Sequence, residues 1–265
     1  MRRGAVLLAA VFLTAAGAAQ ARPLRVMALD QCADQYVLAL APDAELALSP
    51  RADDPDAWLR AQASGHRRIR PSLEAAIAFE PDVVVRYWGG EPRLLQRLEA
   101  DGVQVLTIDD ARDFGGVRAN LATVAAGLGE PGRGADLIRR MNRTLPAESM
   151  RPTVDRPSAL YLTAGGFTAG KGTLIDAILS AAGFANVVRG PSFAPVSVER
   201  MVLRPPARFV LGFFDQIRSD WRGAGRHPAL RRISRGRVAA HLPAAALTCP
   251  GWFAADAAAM LKAAR

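Results

Sequence analysis

Short apolar segments alternate with longer amphipathic ones through the first part of the chain. The run LRVMAL at 24–29 has the length of a buried strand, and ADQYVLALA after it has the spacing of a helix. The segment SLEAAIAF favours another helix that ends near Pro81, before the strand DVVVRY. A glycine pair, a helix around RLLQRLEA, Gly102 and the strand VQVLTID follow. This alternation is typical of an α/β unit.

The middle of the chain has a helical pattern only. Apolar residues from Val117 to Leu128 stand at i, i+4, i+7 and i+11, and a second stripe runs from Leu137 to Leu145 beyond a glycine-rich break. No segment here has the spacing of a strand. The pattern predicts a helical connection over 116–150.

The second half of the chain repeats the order of the first. SALYLTA at 158–164 corresponds to LRVMAL, RFVLGF corresponds to DVVVRY, and RVAAHLP corresponds to VQVLTID. Two Ser-x-Glu helix starts, Ser72 with Glu74 and Ser197 with Glu199, lie 125 residues apart. The repeat indicates two units of the same kind.

We therefore predict an α/β protein with two similar lobes, at 22–115 and 151–265, each built on a parallel-type sheet. One long α-helix within 116–150 would bridge them, and a ligand cleft would lie between them. A single large doubly wound sheet is the alternative, because short matches between apolar segments arise easily.

The first residues have the composition of a secretory signal. Arg2 and Arg3 precede the apolar run 5–13, and small residues around Gln20 suit a cleavage site after residue 21. An uncleaved N-terminal anchor is the alternative. No later segment reaches about 18 consecutive apolar residues, so we expect a soluble exported protein.

The composition narrows the function classes. Half of the 265 residues are hydrophobic and 22% are charged, which disfavours a disordered or fibrous chain. The formal net charge is +9, and loss of 1–21 would leave 32 basic and 25 acidic residues. In an exported protein with scattered arginines this charge disfavours nucleic acid as the partner. A solvated basic surface without a partner is one interpretation, and anionic ligands or membrane headgroups are the functional alternatives.

Few residues suit metal binding or catalysis. The three histidines, His66, His227 and His241, are far apart, and no CxxC, HExxH or GxSxG motif is present. We expect no catalytic residues, no metal site of the protein's own and no cofactor. The two cysteines, Cys32 and Cys249, permit one disulfide in an oxidising compartment.

The segment GGFTAGKGT matches the spacing of a phosphate-binding loop. Gly165, Gly170 and Lys171 fit GxxxxGK, but Gly172 stands where a magnesium-binding Ser or Thr belongs. An exported protein also has little access to nucleoside triphosphates. We favour a glycine-rich turn at a strand end that carries Phe167 into a cleft.

Two acids and several aromatic residues occupy informative positions. Glu74 and Glu199 fall in first helical turns, where they stabilise the helix dipole and could also engage two cationic sites on a symmetric partner. Aromatic side chains in loops at strand ends often form ligand walls, and packing beneath the loops is the alternative. The aromatic candidates are Tyr87, Trp88, Phe167, Phe193, Trp221 and Trp252.

Four segments resemble successive motifs of the periplasmic substrate-binding proteins of ABC importers for iron-siderophores, haem and cobalamin. They are PSLEAAIAFEPDVVV, LEADGVQVLTID, GFTAGKGTLIDAILSAAGFANVV and APVSVERMVLRPPARFVL, and the resemblance spans nearly the whole chain after 1–21. It implies two α/β lobes bridged by one long helix, with ligand between them. It also implies that Glu74 and Glu199 dock onto arginines of a permease dimer.

The resemblance also suggests how the cleft holds its ligand. Either Tyr87 or Trp88 would line it together with Phe167 and Phe193. Cobalamin-binding members carry a tryptophan shortly before the SLE helix, where this chain reads HRRIRPSLE, so anionic chelates such as ferric siderophores or haem become attractive. The cationic candidates near the cleft are Arg67, Arg68, Arg70, Arg86, Arg218, Arg222 and Arg226.

If the fold follows the resemblance, Cys32 lies at a strand end facing the cleft and Cys249 lies opposite. A disulfide there would staple the lobes, whereas two free thiols would contact a metal chelate.

The leading hypothesis is a monomeric periplasmic capture protein without enzymatic activity. It would deliver a ferric siderophore, cobalamin or haem to a permease dimer in the inner membrane. An exported small-molecule hydrolase that uses the same cleft is the alternative from a different class, and an assembly module for a protein partner is a third.

Overall fold

The computed structural model describes residues 22–146, 155–216 and 223–264. The predicted signal at 1–21 and the candidates Arg218, Trp221 and Arg222 lie outside the described residues. Within the described ranges, no helix combines the length and the apolar character that a membrane crossing requires.

The first lobe is built on a five-stranded parallel sheet with strand order β3-β2-β1-β4-β5. Val26, Met27 and Ala28 are fully buried on the central strand, with helices covering both faces of the sheet. Its strands are β1 (Arg25–Ala28), β2 (Glu45–Leu48), β3 (Arg67–Arg68), β4 (Val83–Arg86) and β5 (Gln104–Thr107). Its helices are α1 (Gln31–Leu40), α2 (Leu73–Phe79) and α3 (Pro92–Ala100).

The second lobe has its own four-stranded parallel sheet, in the order β11-β10-β6-β8, and a separate antiparallel pair β7-β9. The strands are β6 (Ser158–Thr163), β7 (Phe167–Ala169), β8 (Ala185–Asn186), β9 (Phe193–Pro195), β10 (Arg208–Gly212) and β11 (Val238–Leu242). The helices of this lobe are α6 (Leu174–Ala181), α7 (Val198–Leu203), α8 (Pro228–Ser234) and α9 (Ala254–Ala263). The two helix numbers between α3 and α6 belong to the helices that connect the lobes. Two α/β lobes with separate parallel sheets confirm the predicted fold class, and the single doubly wound sheet is not observed.

The connection between the lobes differs from the predicted single long helix. It contains two helices, α4 (Phe114–Gly127) and α5 (Pro131–Thr144), that pack against each other. Gly129 has φ +74°, in the left-handed region that favours glycine, and Pro131 starts the next helix because its missing N–H is not needed there. At the contact, a Cβ on Gly134 would lie 2.5 Å from the Cβ of Ala125, so glycine permits the close approach.

The end of the chain returns to the first lobe. Trp252 and Phe253 are buried in the first lobe's hydrophobic core, where Phe253 stacks on Trp58 with ring centroids 5.2 Å apart. The hydroxyl of Tyr36 on α1 donates to the carbonyl of Pro250 at 2.7 Å. Helix α9 then packs on α6 of the second lobe. The last segment therefore contributes to both cores, which strand periodicity does not indicate.

Candidate ligand-binding site between the lobes

A cavity of about 900 Å³ lies between the lobes, at the carboxyl ends of the strands. The loops after β1, β2, β4 and β5 form one wall, and the loops after β7 and β10, with the segment before α9, form the other. The first-lobe wall includes Leu29, Asp30, Ser49, Tyr87, Trp88 and Arg112. The second-lobe wall includes Tyr161, Lys171, Thr173, Phe193, Phe213 and Leu247. The size suits a ligand of several rings.

Asp30 organises the first-lobe wall. One carboxylate oxygen accepts hydrogen bonds from the backbone N–H groups of Cys32 and Ala33 and so caps α1, both at 3.0 Å. The other accepts from the N–H groups of Tyr87 at 2.6 Å and Gly89 at 2.8 Å. A Cβ on Gly89 would lie 2.4 Å from the carbonyl oxygen of Leu29, so only glycine fits. The loop that carries the aromatic pair is therefore anchored to the start of α1.

Aromatic side chains face the cavity from both lobes. Tyr87 and Trp88 both line it, with ring centroids 5.1 Å apart, and Phe193 lines it from the other side. Trp88 is 74% exposed and Phe193 is 59% exposed, which is unusual for large apolar side chains. The Tyr87 hydroxyl donates a hydrogen bond to the Asp110 carboxylate at 3.0 Å, and burial raises the pKa of Tyr87 to about 12. These rings offer apolar faces that a ligand would cover.

Among the described residues, three cationic side chains line the cavity. The Arg51 guanidinium is engaged by Asp54 at 2.7 Å. Arg112 and Lys171 are exposed, and neither side chain forms an ion pair or hydrogen bond with another described residue. Arg112 follows β5 in the first lobe, and Lys171 follows β7 in the second. The described part of the cavity wall thus carries one uncommitted cation on each lobe.

Cys32 and Cys249 form a disulfide in the cavity wall. It joins the start of α1 to the segment before α9, across 217 residues of sequence. Of the two arrangements that the sequence allowed, a disulfide between the lobes or two free thiols, the structure has the disulfide. Both sulfur atoms are used in the bond, so neither is a thiol that binds a chelate.

Asp56 forms a second link beneath the cleft. This buried carboxylate accepts hydrogen bonds from Gln31 of the first lobe at 2.9 Å and from Gln216 of the second at 2.8 Å. Thr248, beside the disulfide, also donates to it at 3.3 Å. The base of the cleft is therefore held by a polar network as well as by a covalent bond.

Several predicted ligand-binding residues lie outside this wall. Trp252 is 3% exposed and packs edge-on against Tyr36 at 6.0 Å, so the structure corrects its predicted place in the cleft to the core. Arg86 turns back to donate to the carbonyl of Gly89 at 2.7 Å. Phe167 is half-exposed on β7 but is not among the lining residues.

The other arginine candidates are also directed elsewhere. Arg67 lies 5.8 Å from the ring of Phe79, and Arg68 pairs with Asp53 at 3.7 Å. Arg226 lies over the ring of Phe214 at 4.9 Å, beside a separate cavity of about 440 Å³. None of these three, nor Arg70, is among the described residues that line the cleft.

Sequence reasoning missed Asp30, Arg112 and Lys171 as parts of the wall. Asp30 and Arg112 follow β1 and β5 closely, so the rule applied to Tyr87, that ligands meet the residues after strands, could have found them. In the sequence, Lys171 stands out only as part of the GxxxxGK pattern. In the structure β7 runs through that pattern and Thr173 caps α6 through the N–H of Asp176 at 3.2 Å.

The two glutamates occupy matching exposed positions. Ser72 caps α2 through the N–H of Ala75 at 3.2 Å, and Ser197 caps α7 through the N–H of Arg200 at 3.2 Å. Glu74 and Glu199 stand in the first turns, and hydrogen bonding to its own backbone N–H lowers the pKa of Glu74. Exposed apolar side chains lie on the same helices, namely Leu73 and Ile77 on α2 and Val202 and Leu203 on α7.

Among the described residues, no three His, Cys, Asp or Glu side chains gather in a way that would hold a metal ion. The polar groups of the wall are hydrogen-bond anchors and isolated cations. The arrangement is suited to holding a ligand.

The sequence profile of the family described as "Periplasmic binding protein" matches residues 28–246. The chain therefore belongs to the periplasmic binding protein family.

Individual relatives agree with that assignment. A cobalamin-binding protein of Halobacterium salinarum is 28% identical over 165 residues, which make up 60% of this chain and 45% of that protein. The alignment thus spans less than half the length of this relative.

Solved structures share the fold. The periplasmic haem-binding protein RhuT from Roseiflexus sp. RS-1, in apo form, is 21% identical, has a TM-score of 0.69, and the match covers 92% of this chain and 98% of that one. The periplasmic vitamin B12-binding protein BtuF of Vibrio cholerae is 17% identical, has a TM-score of 0.61, and the match covers 91% and 96%. The family and these relatives are binding proteins rather than enzymes.

Proposed function

We propose that this protein is the periplasmic solute-binding component of an ABC importer and captures a metal chelate for an inner-membrane permease. The cargo class is a ferric siderophore, haem or cobalamin. The observation that carries the proposal is the interlobe cavity of about 900 Å³, with exposed aromatic side chains on both walls.

The aromatic residues supply most of the contact area. Trp88 and Phe193 extend from opposite lobes, and a flat or macrocyclic chelate between them would remove both apolar surfaces from water. Stacking on rigid aromatic rings costs little side-chain entropy, so this contact favours tight capture.

The two uncommitted cations favour an anionic cargo. Arg112 and Lys171 would each form a charge-assisted hydrogen bond with a carboxylate, catecholate or propionate group. Because they stand on opposite lobes, a ligand that bears two anionic groups would hold the lobes together. Negatively charged chelates are therefore preferred over cobalamin.

Delivery would use Glu74 and Glu199. Each is exposed in the first turn of its helix, one on each lobe, beside exposed apolar residues. Two such acids match two cationic sites on a permease dimer, and the apolar neighbours would add buried surface around the ion pairs. The protein itself would act as a monomer.

Tryptophan fluorescence of the mature protein tests capture. Titration with haem, with a ferric catecholate siderophore and with cobalamin should give saturable quenching by one of them at micromolar concentration or below. The Trp88→Phe variant should lose most of the quenching, because Trp88 is 74% exposed in the cavity wall, whereas Trp252 is buried in the core and Trp58 is partly buried against it. Absence of saturable quenching by all three would contradict the proposal.

Recovery of the ligand after binding separates capture from catalysis. A capture protein releases its chelate with unchanged mass and absorption spectrum. Conversion of the ligand would instead favour the exported hydrolase that the sequence left as the alternative.

Delivery is tested with the double variant Glu74→Ala and Glu199→Ala. Uptake into cells that carry the permease should be lost while the affinity for the chelate stays unchanged. An equal loss of affinity would contradict the docking role. Glu80→Ala, an exposed acid at the other end of α2, is the matched control.

A further inference from the structure

The second lobe has a strongly basic face. Helices α7 and α8 contact each other and pack through Met201 and Ile233 on the same hydrophobic cluster of the sheet. The Arg237 guanidinium donates to the carbonyl of Pro206, which brings the loop after α8 beside the loop after α7. These elements and the start of β10 carry seven exposed arginines, which we call the basic face: Arg200, Arg204, Arg208, Arg231, Arg232, Arg235 and Arg237.

These charges are not neutralised within the described protein. None of the seven arginines forms an ion pair with a described carboxylate. The ion pairs between described residues all involve residues before position 140. A patch of like charges repels itself, so an anionic partner would relieve that repulsion.

Apolar side chains project beside the arginines. Leu203 is 73% exposed and Val202 is 45% exposed, both on α7. None of the seven arginines is among the lining residues of either cavity, so their charges cover an open surface rather than a pocket. Basic residues around protruding apolar ones are the combination that favours an anionic membrane surface.

We propose that the basic face binds the surface of a bilayer that contains anionic phospholipid. The inference rests on the proposed function in one respect: Glu199 lies on α7, so docking of this helix on a membrane-embedded permease brings the basic face near the bilayer. The lipid contact would keep the loaded protein close to the permease.

Vesicle sedimentation tests this without permease or ligand. The mature protein should sediment with phosphatidylcholine vesicles that contain about one third phosphatidylglycerol, and should not sediment with phosphatidylcholine alone. High salt should release it, because exposed charges are screened over about 10 Å or less. No binding to the anionic vesicles would overturn the proposal and would leave the result of the chelate titration unaffected.

Two triple variants of equal net charge locate the surface. The first variant combines Arg231→Ser, Arg232→Ser and Arg235→Ser. It should lower the partition coefficient roughly 100-fold, since each arginine near an anionic surface strengthens membrane binding by a similar factor. Arg60→Ser, Arg93→Ser and Arg143→Ser, exposed residues outside the second lobe, should change it by less than about threefold. An equal loss in both would mean that net charge, not the basic face, drives binding.

The single variant Leu203→Ser tests the apolar contribution. It should weaken vesicle binding by roughly tenfold, because burial of one leucine side chain in the membrane surface favours binding by about that factor. All variants are first compared with the parent protein by urea unfolding, so that a loss of folding is not taken for a loss of membrane binding. An unchanged partition coefficient would overturn the role of Leu203.

Discussion

The two lobes share an architecture and differ in how their charges are used. The segment 22–115 has 16 acidic and 11 basic residues, whereas 151–265 has 6 acidic and 16 basic. In the first lobe Arg25, Arg51 and Arg68 pair with carboxylates, and the buried carboxylates Asp34 and Asp56 are hydrogen-bonded. None of the arginines of the basic face has such a partner among the described residues. One fold therefore supports a lobe in which several arginines pair with carboxylates and a lobe that carries a face of arginines without such pairs among the described residues.

The difference in charge between two lobes of the same architecture indicates that the fold constrains the pattern of apolar residues much more than it constrains the surface charges. Both sheets are buried parallel strands covered by helices, and both present strand ends to one cleft. Surface charge is free to diverge, because an exposed ion pair contributes little to stability.

The largest effect is expected where the two lobes are joined covalently. Cys32→Ser with Cys249→Ser should lower the free energy of unfolding by about 3–5 kcal/mol, since the bond closes a long loop in the unfolded chain. Urea unfolding measures it, and a reducing agent should reproduce the loss in the parent protein only. A change below about 1 kcal/mol would mean that the staple does not couple the lobes.

Asp30→Ala tests the anchored wall of the first lobe. Four backbone N–H groups lose their acceptor, so we expect a loss of about 3 kcal/mol in the free energy of unfolding. Asp113→Ala is the control, because Asp113 caps α4 through one bond, to Gly116, and should cost about 1 kcal/mol. Equal losses would contradict the organising role of Asp30.

The buried carboxylate of Asp34 should make stability depend on pH. Burial raises its pKa from 3.8 to about 7, although Ser49 donates two hydrogen bonds to it. The folded state therefore holds the proton more tightly than the unfolded chain. Its contribution is complete below the unfolded pKa and is lost as the pH rises through about 7.

Stability measured at pH values between 5 and 8 checks this. The parent protein should lose about 2 kcal/mol relative to Asp34→Asn across that interval. Parallel stability curves for the two proteins would show that Asp34 titrates alike in the folded and unfolded states.

The two cleft cations allow the lobes to be compared directly. Arg112→Ala and Lys171→Ala should each weaken binding of an anionic chelate about tenfold, because each removes one charge-assisted hydrogen bond. Fluorescence titration measures the affinities, with Arg60→Ala as a control outside the cavity. If only one variant weakens binding, the ligand places its charge against one lobe alone.

The smallest effect concerns surface charge itself. Arg97→Ala removes an exposed pair with Asp101 at i, i+4 and should cost about 0.5 kcal/mol or less. Arg232→Ala in the basic face should leave stability unchanged or slightly higher, because it removes like-charge repulsion. Urea unfolding at low and high salt distinguishes them, and equal costs would contradict the difference between the lobes.

The sequence by itself determined the two-lobed α/β fold, because a buried strand needs a run of apolar residues and an amphipathic helix needs its own spacing. It also predicted that Tyr87, Trp88 and Phe193 border the cleft, and Tyr87 and Trp88 directly follow a strand, where loops meet at one edge of the sheet. The Ser-x-Glu pattern placed Glu74 and Glu199 in first helical turns, because a capping serine and an acid just after it both stabilise the start of a helix.

Only the tertiary structure decided which side chains face the cleft. Trp252 follows a glycine in a loop, as a ligand-wall residue would, yet the return of the chain end buries it against Tyr36. Asp56 meets Gln216 across 160 positions, and the Cys32–Cys249 bond spans 217. Contacts at such separation depend on how the lobes pack, and no local periodicity records that packing.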